Sequence, residues 1–320
     1  MTEVTGVVRA VCVSGERGVQ KREIPAASLI AGHGLEGDAH AGDWHRQVSL
    51  ISYGKVQKFN EGGAGVSHGD FGENLVVEGI DLGALPVGSL LECGDCALEI
   101  TQIGKECHTH CQIHQKMGDC IMPREGVFAR VARGGAISVG DVIRLAEAPA
   151  RGPRAAVLIL SDKGAKGERK DESGPLIARM LRDAGYTLAE LKLLPDERGE
   201  IEAELINLAD RRQVDLILTS GGTGFSPRDI TPEATTAIAE RMAPGIAEAM
   251  RAHSMRITGR AMLSRGVAAI RGGSLIVNLP GSPKAAGECL DAVLPHLGHG
   301  IEVLRGKARD CADSTKNDNK

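Results

Sequence analysis

At 320 residues the chain is too long for one comfortable core and reads as two domains. A net charge of -4 without a basic stripe or aromatic platform argues against nucleic acid, and no apolar stretch reaches the roughly 18 residues a membrane span needs. Residues 1–10 lack the apolar core of a secretory signal, so the expected location is the cytoplasm and the expected state of the eight cysteines is reduced.

In chain order, residues 1–147 show short strand patterns separated by glycine turns, at 4–11, 48–51, 74–77, 90–93, 97–100 and 127–131. One helical pattern stands out, at 53–60. A mostly-β domain closed like a barrel would leave no strand edge exposed. Its loops carry Asp38, His40 and Arg46, a set that suits an anionic ligand or a thiol partner, or else a solvated loop stiffened by an Asp–Arg pair. Five cysteines fall between Cys93 and Cys120; Cys93 and Cys96 form a Cys-x-x-Cys pair, and Cys107, His110, Cys111 and His114 cluster downstream. That cluster admits a reactive thiol, a Zn²⁺ site, or plain buried cysteines.

Residues 148–155 are a Pro- and Gly-containing linker. Over 156–305 strands and helices alternate. Strand patterns at 157–160, 187–194, 214–219 and 274–277 are followed by helices that Ser173, Thr231 and Ser282 would cap, with a further helix at 200–209. This predicts a doubly wound α/β domain. Residues 306–320 hold no periodic apolar positions and read as a disordered tail.

The chemistry concentrates where loops leave strands. Gly221-Gly222-Thr223-Gly224 offers backbone amides to an anion, although a plain tight turn uses the same residues. Asp229 and Asp196 are candidates to hold Mg²⁺ beside phosphates; Asp229 is equally readable as a turn residue, and Asp196 by itself is more often a solvated loop residue. Ser161 and Asp162 follow the first strand, the charged segment 163–172 reads as a flap, and Ser173 and the Gly281-Ser282 turn complete the candidate pocket.

Ser161-Asp162, Asp171 to Pro175, Gly221 to Asp229 with Thr231 to Thr235, and Leu279 to Pro283 resemble the MogA/MoaB family of molybdenum cofactor synthesis, over residues 154–305. The resemblance implies a homotrimeric α/β domain that binds molybdopterin, ATP and Mg²⁺ and transfers AMP to the pterin phosphate. By motif, Asp229 and Asp196 correspond to the catalytic carboxylates, and the product would pass to a molybdate-inserting enzyme or a molybdoenzyme. Gly37-Asp38-x-His40, Arg46 to Leu50, Gly69 to Leu75, Gly88, Gln102 and Cys107 resemble the MOSC family, over residues 5–145. That resemblance implies a β-barrel-like domain that binds the molybdenum cofactor, with Cys107 in the place of the sulfur-handling cysteine. Gly104, Lys105 and Glu106 stand where that family commonly has Arg and Pro. The other reading of the whole chain is a non-catalytic carrier or scaffold that delivers the cofactor.

Overall fold

A computed structural model describes residues 4–105, 112–147 and 152–306. The chain forms two compact units, divided between residues 149 and 150.

The first unit begins with β1 (Thr5–Val13), β2 (Arg22–Ile24), β3 (Ala26–Ile30), β4 (Gly34–Leu35), β5 (Val48–Ser52) and helix α1 (Tyr53–Glu61). Then come β6 (Leu75–Glu78), β7 (Leu90–Cys93), β8 (Cys96–Ile103), α2 (Gln112–Met117) and α3 (Met122–Glu125). It ends with β9 (Val127–Arg133), β10 (Gly135–Ser138) and β11 (Val142–Ala146). The order β11-β7-β8-β9-β5-β6-β1 closes into a barrel because β11 also pairs with β1. Among the described residues only β5 and β6 run parallel within it. Strand alternation divides the apolar residues: Val8, Leu50, Leu75 and Leu98 fill the interior, while Ala10, Ile51 and Val76 meet Val56 of α1 and Met122 of α3 outside. The expected mostly-β barrel is present. The short strands β2, β3, β4 and β10 were not legible, because they are brief, with little alternation to read.

The second unit is a three-layer α/β domain. It starts with β12 (Arg154–Leu160), α4 (Asp162–Ala165), α5 (Ser173–Asp183), β13 (Thr187–Leu194), α6 (Arg198–Ile206) and β14 (Leu216–Ser220). It continues with α7 (Thr231–Ile238), β15 (Arg241–Met242), α8 (Pro244–Met255), β16 (Ala268–Arg271), β17 (Ser274–Leu279) and α9 (Pro283–Leu304). The sheet order is β13-β12-β14-β17-β16-β15, and the first four strands are mutually parallel. Along β12, Ala155, Val157 and Ile159 pack under α5, α8 and α9, while Ala156, Leu158 and Leu160 pack under α6 and α7. Helices on both faces make the sheet doubly wound, as expected. No helix among the described residues is long and apolar enough to cross a membrane.

Two expected caps differ. Ser173 and Thr231 lie inside their helices, with neither side chain capping. Asp171 Oδ1 takes the Ser173 and Gly174 amides instead, at 2.9 and 3.0 Å. The two hydroxyls reach across to loops: Ser173 Oγ donates to the Gly281 carbonyl at 3.0 Å and Thr231 Oγ1 to the Gly221 carbonyl at 2.9 Å. Ser282 does cap α9, accepting the Ala285 amide at 3.2 Å.

Candidate active site

The parallel strands β13, β12, β14 and β17 deliver Asp196, Ser161-Asp162, Gly221 to Asp229 and Gly281-Ser282 to one end of the sheet, the carboxyl end where α/β sheets bind ligands. The loops approach so closely that only glycine fits. Gly221 and Gly222 have φ of +118° and +61°. A Cβ at Gly221 would stand 2.2 Å from the Leu160 carbonyl oxygen, and one at Gly281 3.2 Å from the Gly221 Cα. Ser220 Oγ donates to the Pro280 carbonyl at 2.8 Å, and Asn278 Nδ2 donates to Thr219 and Thr235 at 3.0 and 2.9 Å, which locks the two strand ends together.

Asp162 and Asp196 are tied reciprocally. The Asp162 amide donates to Asp196 Oδ2 and the Asp196 amide to Asp162 Oδ1, both at 3.0 Å. Asp196 Oδ1 remains buried without a hydrogen-bond partner, and it faces Gly222, where a Cβ would lie 3.2 Å away. Burial raises the Asp196 carboxyl, with the Asp162 and Asp229 charges adding to the rise and the Asp162 amide opposing it. Asp162 is held below the usual carboxylate range by Arg228, which bonds it at 2.8 and 3.0 Å and also reaches Glu197 at 2.9 Å. Asp229 Oδ2 accepts the Ser226 amide at 2.9 Å and lies under Gly224, whose Cβ would meet it at 2.8 Å.

A buried carboxylate oxygen without a donor is costly unless a cation meets it. Asp196 and Asp229 on neighbouring loops fit Mg²⁺, which takes one or two carboxylates and completes its shell with water and phosphate oxygens. The donor set is all hard oxygen, as that ion requires.

Arg265 has no signal in the sequence, yet it anchors the glycine loop. It donates to the Gly224 carbonyl at 2.6 Å, to the Asp229 carbonyl and to Glu233, and its amide bonds the Thr223 carbonyl at 3.0 Å. Thr223 itself is buried. Beside the loops lies a largely apolar cleft of about 210 Å³. Its walls include Met250, Ala261, Pro280 and Cys289, with Ser254, Ser264 and Asn278 as polar points and Arg251 and Arg260 in its lining. No local motif announced it, because three separate segments build it.

In the first unit, Asp38 is consumed by the fold. It accepts Lys21 Nζ at 2.9 and 2.8 Å, the Ser14 and His40 amides at 3.2 and 2.9 Å, and Asn74 Nδ2 at 3.0 Å. Both side chains of the Lys21–Asp38 pair are fully buried. Burial alone would raise Asp38, but hydrogen bonds from His40 and Lys21 hold it well below its usual range. Burial lowers Lys21, and Asp38 offsets part of that. The sequence showed no role for Lys21; it is the counterion. His40 Nδ1 lies 3.5 Å from Asp38 Oδ1. Gly69 to Asn74 is likewise structural: Glu73, pushed up by burial, accepts the Gly69 and Phe71 amides at 2.6 and 3.1 Å, and Asn74 Oδ1 accepts the Ser49 amide at 3.0 Å. Arg46 stacks over Trp44 and Phe128, with ring centroids at 4.8 and 5.6 Å. Gln102 bonds His45 at 2.8 Å and the Gly104 carbonyl at 2.7 Å. Cys107, His110 and Cys111 lie outside the described residues, and His114 sits on α2. Among the described residues there is no group of three or more His, Cys, Asp or Glu poised for a metal.

Comparison with known proteins adds independent findings. The family described as "Probable molybdopterin binding domain" matches residues 156–299, and the MOSC domain family matches residues 37–144. The chain is 44% identical over 154 residues to a molybdopterin adenylyltransferase of Helicobacter pylori strain J99, spanning 47% of this chain and 86% of that protein. It is 42% identical over 154 residues to the molybdopterin adenylyltransferase of Escherichia coli K12, spanning 46% and 79%. Among solved structures, the molybdopterin biosynthesis enzyme MoaB of Thermus thermophilus is 49% identical, covers 49% of this chain and 99% of its own, and superposes with a TM-score of 0.47.

Proposed function

The chain belongs to the MogA/MoaB family through its second unit, carries a MOSC domain as its first and serves molybdenum cofactor biosynthesis; from that premise we propose that the second unit is a molybdopterin adenylyltransferase. A terminal phosphate oxygen of molybdopterin attacks the α-phosphorus of ATP. The new P–O bond forms as the bond to pyrophosphate breaks, and AMP ends on the pterin. The observation that carries the reading is Asp196 Oδ1, a buried, unpartnered carboxylate oxygen facing a glycine loop at the sheet's ligand end.

The nucleophile is already an anion, so the protein supplies alignment and charge neutralisation rather than a strong base. Asp196 and Asp229 would hold Mg²⁺, which when bound neutralises phosphate charge. Amides of the Gly221 to Gly224 loop cradle phosphate oxygens, with Ser161, Asp162, Ser173, Gly281 and Ser282 lining the pocket. The apolar cleft beside Pro280 receives the pterin, and its Ser254 and Ser264 orient it. Arg265 keeps the loop in place through its carbonyls. Exposed Met255, Ile257, Met262 and Leu263 support assembly as a homotrimer, which sedimentation equilibrium tests.

The first unit, in this reading, binds the cofactor and passes it on, with Cys107 as the sulfur-handling thiol. Support comes from the stacked Arg46 and from Gln102, which bonds the Gly104 carbonyl just before the Cys107 segment. The competing version is a Zn²⁺ or molybdate site of Cys107, His110, Cys111 and His114. Elemental analysis of protein purified without added metal separates them, since well under one metal per chain overturns the metal site. For the second unit, the test is pyrophosphate release from ATP with molybdopterin and Mg²⁺. Asp229→Asn should lose turnover and keep pterin affinity; unchanged cofactor delivery by that variant would identify a carrier instead.

A further inference from the structure

Cys93 closes β7 and Cys96 opens β8, so the two stand directly opposite each other across the Gly94-Asp95 turn. Gly94 takes φ +54°, which gives the hairpin its tight reversal. The Cys96 thiol donates to the Cys93 carbonyl at 2.9 Å, and the Cys93 thiol donates to Asp141 Oδ2 at 3.9 Å. Opposed residues of an antiparallel pair have Cα atoms about 4.5–5.5 Å apart, inside the span of roughly 4.4–6.8 Å that disulfides occupy. The strand pairing therefore puts the two cysteines within the Cα span of a disulfide.

The surroundings favour exchange. Both side chains are buried, but they form the last rung before an exposed turn, so opening one rung frees both sulfurs. Arg133 donates to the Asp95 carbonyl at 2.7 Å, which ties the turn down and places a guanidinium nearby. The neighbouring Cys93 thiol and, more weakly, this cation favour Cys96 as the thiolate against burial and the Asp141 carboxylate, while Cys96 and burial push Cys93 up. Neither cysteine takes part in the cofactor chemistry described above.

We propose that Cys93 and Cys96 are a reversible dithiol–disulfide couple at one end of the barrel, exchanging with low-molecular-weight disulfides of the glutathione class. The Cys96 thiolate attacks one sulfur of the oxidised disulfide and expels a thiolate, leaving a mixed disulfide on Cys96. Cys93 gives its proton to the expelled thiolate, attacks the Cys96 sulfur and releases the second thiolate, which takes from solvent the proton that Cys96 had lost to it. Two protein thiols are oxidised, and one small disulfide is reduced to two thiols. The closed ring spans only the turn, so it removes little chain entropy from the unfolded state and the bond stays easily reducible. That makes it a switchable bond, not a staple.

The test uses the full chain, incubated with oxidised glutathione or with dithiothreitol, then alkylated and mapped by peptide mass. After oxidation the peptide holding Cys93 and Cys96 should be unlabelled and lighter by two hydrogens. After reduction it should carry a label on each cysteine. In Cys93→Ser the glutathione adduct should persist on Cys96. Full labelling of both cysteines in the oxidised wild-type protein overturns the proposal, as does a stable adduct on Cys96 with Cys93 still labelled. The wild-type map decides the matter even if the variant folds poorly.

Discussion

Replacing Gly222 by Ala tests whether the glycine loop is built by close approach or merely by habit of sequence. The new Cβ would stand 2.3 Å from Thr231 Oγ1, and the residue would keep φ +61°. A left-handed φ costs a side-chain-bearing residue about 1–2 kcal/mol. Moving the Thr231 hydroxyl breaks its hydrogen bond to the Gly221 carbonyl, which costs about 1 kcal/mol more. The sum of about 2–3 kcal/mol corresponds to a fall in melting temperature of about 4–12 °C for a unit of this size. Calorimetry of the full chain reads it, and the fluorescence of Trp44, the chain's single tryptophan, reports the first unit as an internal reference. The double variant Gly222→Ala/Thr231→Ala removes the clash and counts the lost hydrogen bond once. It should therefore be less destabilised than the sum of the singles by about 1 kcal/mol. Strict additivity, or a Gly222→Ala protein melting within about 1 °C of wild type on the scale above, would refute the packing argument. Gly221→Ala, whose Cβ meets backbone at Leu160, should be worse, with no side-chain change able to relieve it.

Asp196→Asn should stabilise the ligand-free second unit at neutral pH. A carboxyl raised in the fold contributes stability below its unfolded pKa of about 3.9, lost as pH rises through the folded value, so the difference from wild type should vanish in acid. The same variant should lose the Mg²⁺-dependent rise in melting temperature; retention of that rise sinks the metal assignment. Arg228→Ala removes exposed ion pairs to Asp162 and Glu197 and should barely move the melting temperature, while weakening ATP binding in the pyrophosphate assay. An unchanged KM for ATP would take Arg228 out of the site. In the first unit, Lys21→Met leaves Asp38 charged and buried, at a cost of about 3–5 kcal/mol, read by Trp44 fluorescence during urea unfolding. Because Asp38 is depressed in the fold, its contribution is present above the unfolded pKa of about 3.9 and fades as pH falls toward the folded value. An Asp38→Asn protein should lose less stability on acidification than wild type, and an identical acid profile would contradict this.

Local pattern was enough to divide the chain into a β-rich and an α/β unit, and to place strands at 187–194 and 274–277 and the loops that leave them. Those features rest on alternation, helical periodicity, and glycine and proline at turns, all written within a few neighbouring residues. Asp162, Asp196, Asp229 and the glycine loop also stood out by residue type and order, and the fold brings them to one end of the sheet. Where the polar groups are spent became visible only once the chain was folded. Ser173 and Thr231 read as caps, yet their hydroxyls tie loops together across 108 and 10 positions. Arg228 meets Asp162 from 66 positions away, and Arg265 holds Gly224 from 41. Asp38 read as part of an anion site or of a solvated Asp–Arg pair, and it is the buried partner of Lys21. Such pairings arise only when the sheet and barrel close. A buried polar group must find a partner, and which partner is near depends on strand order rather than on sequence spacing.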